Sequence, residues 1–138
     1  MEPMMGTVQR TPPDAWLGTA IQLAIHELAV VNGYADSLSV RLARRQANPG
    51  HARPYRPLAV ASIAIASRGV TLLFRPLAVM EPNAFTAIIV ARRTGRIVWQ
   101  EDTDHPSYYE AYDLARRAFA RLRRLEREPG EEPARTVP

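Results

Sequence analysis

The sequence predicts an α+β fold: one domain in which an antiparallel sheet of about five strands, with two central hairpins, packs against an N-terminal and a C-terminal helix. Three observations support this. Apolar residues recur at intervals of three and four near both ends of the chain, as they do on one face of a helix. Between these regions, β-branched segments alternate with short glycine-containing turns. The length of 138 residues suits a single domain.

The first helix is predicted to follow residues 1–10, which we interpret as a loose leader preceding a domain of residues 11–127. Thr11 is a suitable N-cap and Pro12 suits the first helical position. Asn32-Gly33 is predicted to end the helix, because glycine accepts the left-handed conformation found there. The predicted apolar face consists of Leu17, Ala20, Ile21, Ala24, Leu28 and Val31.

Five strands are predicted in the middle of the chain. Residues 37–42 alternate in polarity and are predicted to form a strand, although the composition of residues 37–45 also suits a helix. Residues 58–66 and 70–77 flank a turn containing Gly69, and residues 85–92 and 96–101 flank a turn containing Gly95. A glycine with positive φ in each turn predicts two hairpins.

The second helix is predicted to begin after Ser107, which forms a capping box with Glu110. Pro129-Gly130 should end it, and we expect residues 128–138 to form a disordered tail. The predicted buried side consists of Ala111, Leu114, Ala115, Ala118, Phe119, Leu122 and Leu125.

Composition narrows the function. The chain has no cysteine, which excludes disulfides, thiolate nucleophiles and thiolate metal sites. It begins without a secretory signal, and its longest apolar stretch is interrupted by polar residues, so we expect a cytoplasmic protein that does not enter the membrane. No cofactor motif is recognised, and we do not expect an enzyme.

The predicted hairpins carry apolar residues on both of their faces, whereas a half-solvated sheet alternates apolar with polar residues. Two helices can cover one face, so the second face is expected to meet another subunit or a protein partner. The first functional hypothesis is therefore a non-catalytic interaction or assembly module that self-associates through its sheet. Alternatively, the leader and the loop of residues 48–57 cover this face. The candidate interface residues are Leu73, Leu77, Ile88 and Val90.

Positive charge suggests a second hypothesis, binding to the RNA or DNA backbone. The sequence pI is about 10.1, and all 18 basic residues are arginines. Five arginines lie in residues 34–56 against one acid, and six lie in residues 107–127 against three. Alternatively, arginines near the end of a helix complement its dipole and cover core edges. The candidate polyanion-binding residues are Arg41, Arg44, Arg45, Arg53, Arg56, Arg117, Arg121 and Arg124.

The order of a helix, a basic strand, a hairpin and a basic helix over residues 108–127 resembles small ribosome-associated hibernation factors and, more distantly, double-stranded-RNA-binding domains. The resemblance implies a ribosome or RNA partner. It is a likeness of element order without a shared motif. This chain has an additional hairpin, and it has Tyr108, Tyr109 and Glu110 where those RNA-binding domains have a basic cluster.

A third hypothesis, a small enzyme, depends on the acidic loop before the last helix. Asp102, Asp104 and His105 could hold a divalent metal or provide acid-base chemistry. The same residue types are also common in turns and before helices, which explains the run without a site. Tyr109 is a candidate for stacking on a nucleic-acid base. His26 is expected at the surface of the first helix.

Overall fold

The computed structural model describes residues 15–44, 58–78, 81, 83–104 and 107–127. It confirms the α+β fold, with five antiparallel strands in a simple meander and two helices on one face of the sheet. The predicted leader (1–10) and tail (128–138) lie outside the described residues. In chain order the elements are α1 (Thr19–Val31), a 3-10 turn (Ala35–Ser37), β1 (Leu38–Arg44), β2 (Leu58–Ala66), β3 (Val70–Pro76), β4 (Phe85–Ala91), β5 (Ile97–Asp102) and α2 (Tyr108–Arg127).

The two hairpins form as predicted. Ser67 N–H donates to Val70 O at 2.9 Å in the β2–β3 turn, where Gly69 has φ of +78°. Ala91 N–H donates to Arg96 O at 2.8 Å in the β4–β5 turn, where Gly95 has φ of +75°. Both glycines adopt the left-handed conformation that these tight turns require. Residues 38–44 form a strand, which settles the helix-or-strand alternative.

The first helix differs from its prediction at the N-terminus. It begins at Thr19 after Gly18, and the predicted N-cap at Thr11 lies outside the described residues. Leu17 is not helical: its N–H donates to Val60 O at 3.0 Å, and its side chain is fully buried. This contact with β2 holds the chain extended before the helix, so a long-range interaction overrides the local helix signal. At the other end, Asn32 and Gly33 terminate the helix as predicted.

The core lies between the sheet and the two helices. Its centre is aromatic: the ring centroid of Phe74 lies 5.7 Å from that of Phe85 and 5.9 Å from that of Phe119. The Tyr34 ring stacks on Phe119 with centroids 6.0 Å apart. The predicted apolar side of α2 is confirmed, with Leu125 partly buried and the other six residues fully so.

Strand register defines which residues share the outer face of the sheet, the face opposite the helices. Leu72 pairs with Ile89 on the core side, so Leu73, which pairs with Ile88, lies on the outer side. The register shifts between Arg41 and Leu42 in the β1–β2 pair, which leaves Ala61 as an extra residue on β2. The outer face consists of Ser39, Arg41, Ser62, Ala64, Thr71, Leu73, Arg75, Thr86, Ile88, Val90, Gln100 and Asp102.

Candidate functional site

The largest apolar exposure in the described residues lies on α1. Leu23 is 65% exposed, Val30 63% and Val31 75%. These side chains lie on the opposite side of the helix from the strip that enters the core. The helix is therefore apolar on both sides, a pattern typical of a helix that is buried on both sides. The buried strip consists of Ile21, Ala24, Ile25, Leu28 and Ala29.

We define the outer strip of α1 as Leu23, His26, Glu27, Val30 and Val31. Spacings of three and four residues place these side chains on one face of the helix. His26 is exposed, as expected from the sequence, and Glu27 beside it is the one formally charged residue of α1. The buried strip of α1 packs in the core shared by the sheet and α2, so the outer strip faces away from both.

The sequence prediction of the α1 face is partly wrong. Ala20 and Val31 are predicted to lie in the core but are exposed, while Ile25 and Ala29 are buried. The predicted face starts from Leu17, which precedes the helix and does not follow its periodicity. A usable signal is present in the sequence, because the apolar residues of α1 exceed what one buried strip can hold.

The four interface residues predicted on the sheet do not form an exposed patch. Leu73, Ile88 and Val90 do share the outer face, where Leu73 pairs with Ile88. However, Ile88 is only 1% exposed, and Leu73, Leu77 and Val90 are half-buried. The exposed apolar side chains nearest to the sheet are instead Val40 and Leu42 on the edge strand β1. The structure thus moves the candidate apolar interface from the sheet face to α1.

The predicted polyanion-binding arginines are not brought together. Arg41 pairs with Ser62 on the outer face of the sheet, whereas Arg117, Arg121 and Arg124 lie on α2, which covers the other face. The described structure includes Arg44 as a backbone position opposite Leu58. Arg45, Arg53 and Arg56 lie outside the described residues.

Two α2 arginines are engaged in ion pairs. Arg117 Nε donates to Asp113 Oδ2 at 3.0 Å, and its Nη1 donates to Glu101 Oε2 on β5. Arg116 Nη2 donates to Asp113 Oδ1 at 2.7 Å. Hydrogen bonds from Arg116 and then Arg117 hold the pKa of Asp113 below its ordinary value, and the hydrogen bond to Glu101 raises the pKa of Arg117. These contacts fix α2 to the edge strand and reduce its positive charge.

The acidic loop is exposed at both of its described carboxylates. Asp102 ends β5 and Asp104 follows in a bend, while His105 lies outside the described residues. In the described part of the chain, no three His, Asp or Glu side chains lie close enough together to hold a metal ion. Thr103 has a structural role here, because its Oγ1 accepts a hydrogen bond from Phe85 N–H at 3.2 Å.

The tyrosines at the start of α2 form a small exposed cluster. Tyr108 has its ring centroid 6.4 Å from that of Tyr109 and 6.1 Å from that of Tyr112. Tyr109 is 86% exposed, as the stacking hypothesis expects. The nearest charges along the helix are acidic, at Glu110 and Asp113, and carboxylates repel nucleic acid.

A polar cluster at the C-terminal end of α2 has no counterpart in the sequence predictions. Tyr34 Oη donates to Glu126 Oε1 at 2.7 Å, and Ser67 Oγ donates to Glu126 Oε2. Burial, followed by the hydrogen bond to Glu126, raises the pKa of Tyr34 well above its ordinary value. Arg92 Nη1 donates to Ser67 O at 2.7 Å, which ties the two hairpins together.

Neither described helix is both long and apolar enough to cross a membrane. Comparison with known proteins found no family model, no curated protein and no solved structure that matches the chain.

Proposed function

We propose that this chain is a non-catalytic protein-interaction module that assembles with itself. The observation that carries the proposal is the exposure of Leu23, Val30 and Val31 on a helix whose other side is already buried. Contiguous exposed apolar surface of this kind marks interaction sites. Burying one such side chain contributes roughly 1.5 to 3 kcal/mol, so the strip can drive association.

The experiment measures mass against concentration by light scattering and sedimentation. We expect the wild-type chain to dissociate on dilution and the variant Leu23→Ser/Val30→Ser to stay monomeric throughout. Val98→Ser is the matched control, because Val98 is 48% exposed on the edge strand β5, away from α1. It should associate like the wild type. A wild-type chain that is monomeric at every concentration would remove the proposal.

Polyanion binding is a second candidate, now limited to α2. One observation favours it: the solvent side of this helix is lined by arginines with few intervening acids. Charge of this kind gives salt-sensitive binding to phosphate backbones. The described arginines of α2 with exposed or half-buried side chains are Arg116, Arg117, Arg121, Arg123 and Arg124.

Heparin retention tests this candidate. Arg121→Glu should lower the salt concentration of elution, whereas Arg41→Glu, with the same charge change on the opposite face, should have a smaller effect. Equal effects of the two variants would indicate a response to net charge alone and would reject a site on α2.

A further inference from the structure

We infer that the outer strip of α1 binds a second copy of this chain, with the two α1 helices antiparallel about a twofold axis that passes between His26 and Glu27. This inference rests on the proposed self-association and specifies the surface and geometry that produce it. A twofold interface must be self-complementary, because each residue meets its symmetry-related partner position.

The order of residues along the strip has this self-complementarity. Leu23 lies three residues before His26, and Val30 lies three residues after Glu27. Reversing the helix about the point between His26 and Glu27 therefore exchanges Leu23 with Val30. The interface then has an apolar contact between Leu23 and the partner's Val30 at each end, about 10 Å apart along the helix at 1.5 Å rise per residue.

The centre of the strip matches in charge and hydrogen bonding. The same reversal brings His26 opposite Glu27 of the partner subunit, so an imidazole N–H can donate to a carboxylate twice per dimer. His26 and Glu27 of one helix cannot make this contact with each other, because neighbours one residue apart point in different directions. The central polar residues thus have suitable partners only across the interface.

Charge favours a second copy over a strongly charged partner. Glu27 is the one formally charged residue among residues 19–31, so the strip offers nothing to a polyanion or an anionic membrane. The arginines of α2 are kept apart from the contact, because the outer strip faces away from α2. Two copies can meet along α1 without opposing their α2 helices directly.

Charge exchange at the centre tests the geometry. His26→Glu should place a new carboxylate against the partner's Glu27 at two symmetric positions and weaken the dimer about tenfold, as measured by sedimentation equilibrium. Glu27→Arg should also weaken it by removing both carboxylate acceptors. The double variant His26→Glu/Glu27→Arg restores opposite charges and should return the dissociation constant to within about threefold of the wild type. A loss caused by folding defects would not be rescued this way.

Cross-linking gives an independent measurement, and the absence of cysteine from the chain makes it clean. Glu27→Cys lies next to the proposed axis and should form an intermolecular disulfide under mild oxidation in dilute solution. Thr94→Cys, exposed in the β4–β5 turn, is the control and should remain unlinked.

The outcomes separate the two proposals. A monomeric wild type removes the proposed self-association. A wild-type oligomer that is indifferent to both single exchanges, or is weakened by them without rescue in the double variant, overturns the α1 geometry and leaves self-association standing. The geometry is likewise overturned if the strip variants alter binding to heparin or anionic vesicles while the oligomer is unchanged.

Discussion

Tyr34 Oη donates a hydrogen bond of 2.7 Å to Glu126 Oε1, joining residues 92 positions apart in the chain. The contact fixes the last turn of α2 to the segment that follows α1. Tyr34→Phe should lower the free energy of unfolding by about 1.5 kcal/mol, because a hydrogen bond to a carboxylate is lost while the ring packing remains. Urea denaturation measures this. Tyr109→Phe, at an exposed position, should change it by less than about 0.5 kcal/mol, and equal losses would contradict the role of the contact.

The same contact predicts alkaline sensitivity. Burial and Glu126 raise the pKa of Tyr34 above its ordinary value of 10.0. Above that pH the unfolded chain releases the phenolic proton while the folded chain retains it, so stability is complete below pH 10 and falls as the pH rises further. Melting temperatures across this range should fall less steeply for Tyr34→Phe than for the wild type. Tyr109→Phe should follow the wild type, and parallel curves for all three proteins would rule out this linkage.

Asp113 predicts the opposite dependence at acid pH. Hydrogen bonds from Arg116 and Arg117 lower its pKa from the ordinary value of 3.8, so its contribution to stability is present above that value and is lost as the pH falls. Asp113→Asn should therefore lower the melting temperature slightly at neutral pH, and the difference should vanish in strong acid. High salt should also reduce it, because the pairs are exposed. A difference that persists in acid would point to another cause.

Gly95 tests the turn between β4 and β5. A Cβ at this position would have open space, so the cost of a side chain comes from the backbone φ of +75°. Gly95→Ala should destabilise the fold by about 1 kcal/mol, and Gly95→Asn by less, because asparagine tolerates the left-handed region. Thermal denaturation compares the two. Equal losses would show that the conformation of residue 95 is not what limits stability.

The parts of the fold that local chemistry determines could be predicted from the sequence. Both hairpins depend on a glycine at the tight turn, and Gly69 and Gly95 have the expected positive φ. The start of α2 depends on Ser107, whose Oγ accepts a hydrogen bond from Glu110 N–H at 3.2 Å, as the capping box predicts. Such signals act within a few residues and need no knowledge of the tertiary fold.

The candidate site could not be predicted because it depends on long-range packing. Which side of α1 is buried is decided by its contacts with the sheet and α2, and two apolar sides make the sequence pattern ambiguous. The separation of Arg41 from the arginines of α2 follows from strand register, since Arg41 pairs with Ser62 on the outer face. Neither fact is encoded in local periodicity.

The start of α1 gives the last prediction. Leu17 is fully buried ahead of the helix, whereas Leu23 is 65% exposed on its outer strip. Leu17→Ala should cost about 2 to 5 kcal/mol of unfolding free energy, because it leaves a cavity beside β2. Leu23→Ala, the same truncation, should cost less than about 0.5 kcal/mol in dilute solution. Similar losses would contradict the boundary of α1. If α1 forms the dimer, raising the protein concentration should stabilise the wild type and Leu17→Ala, while Leu23→Ala should gain less.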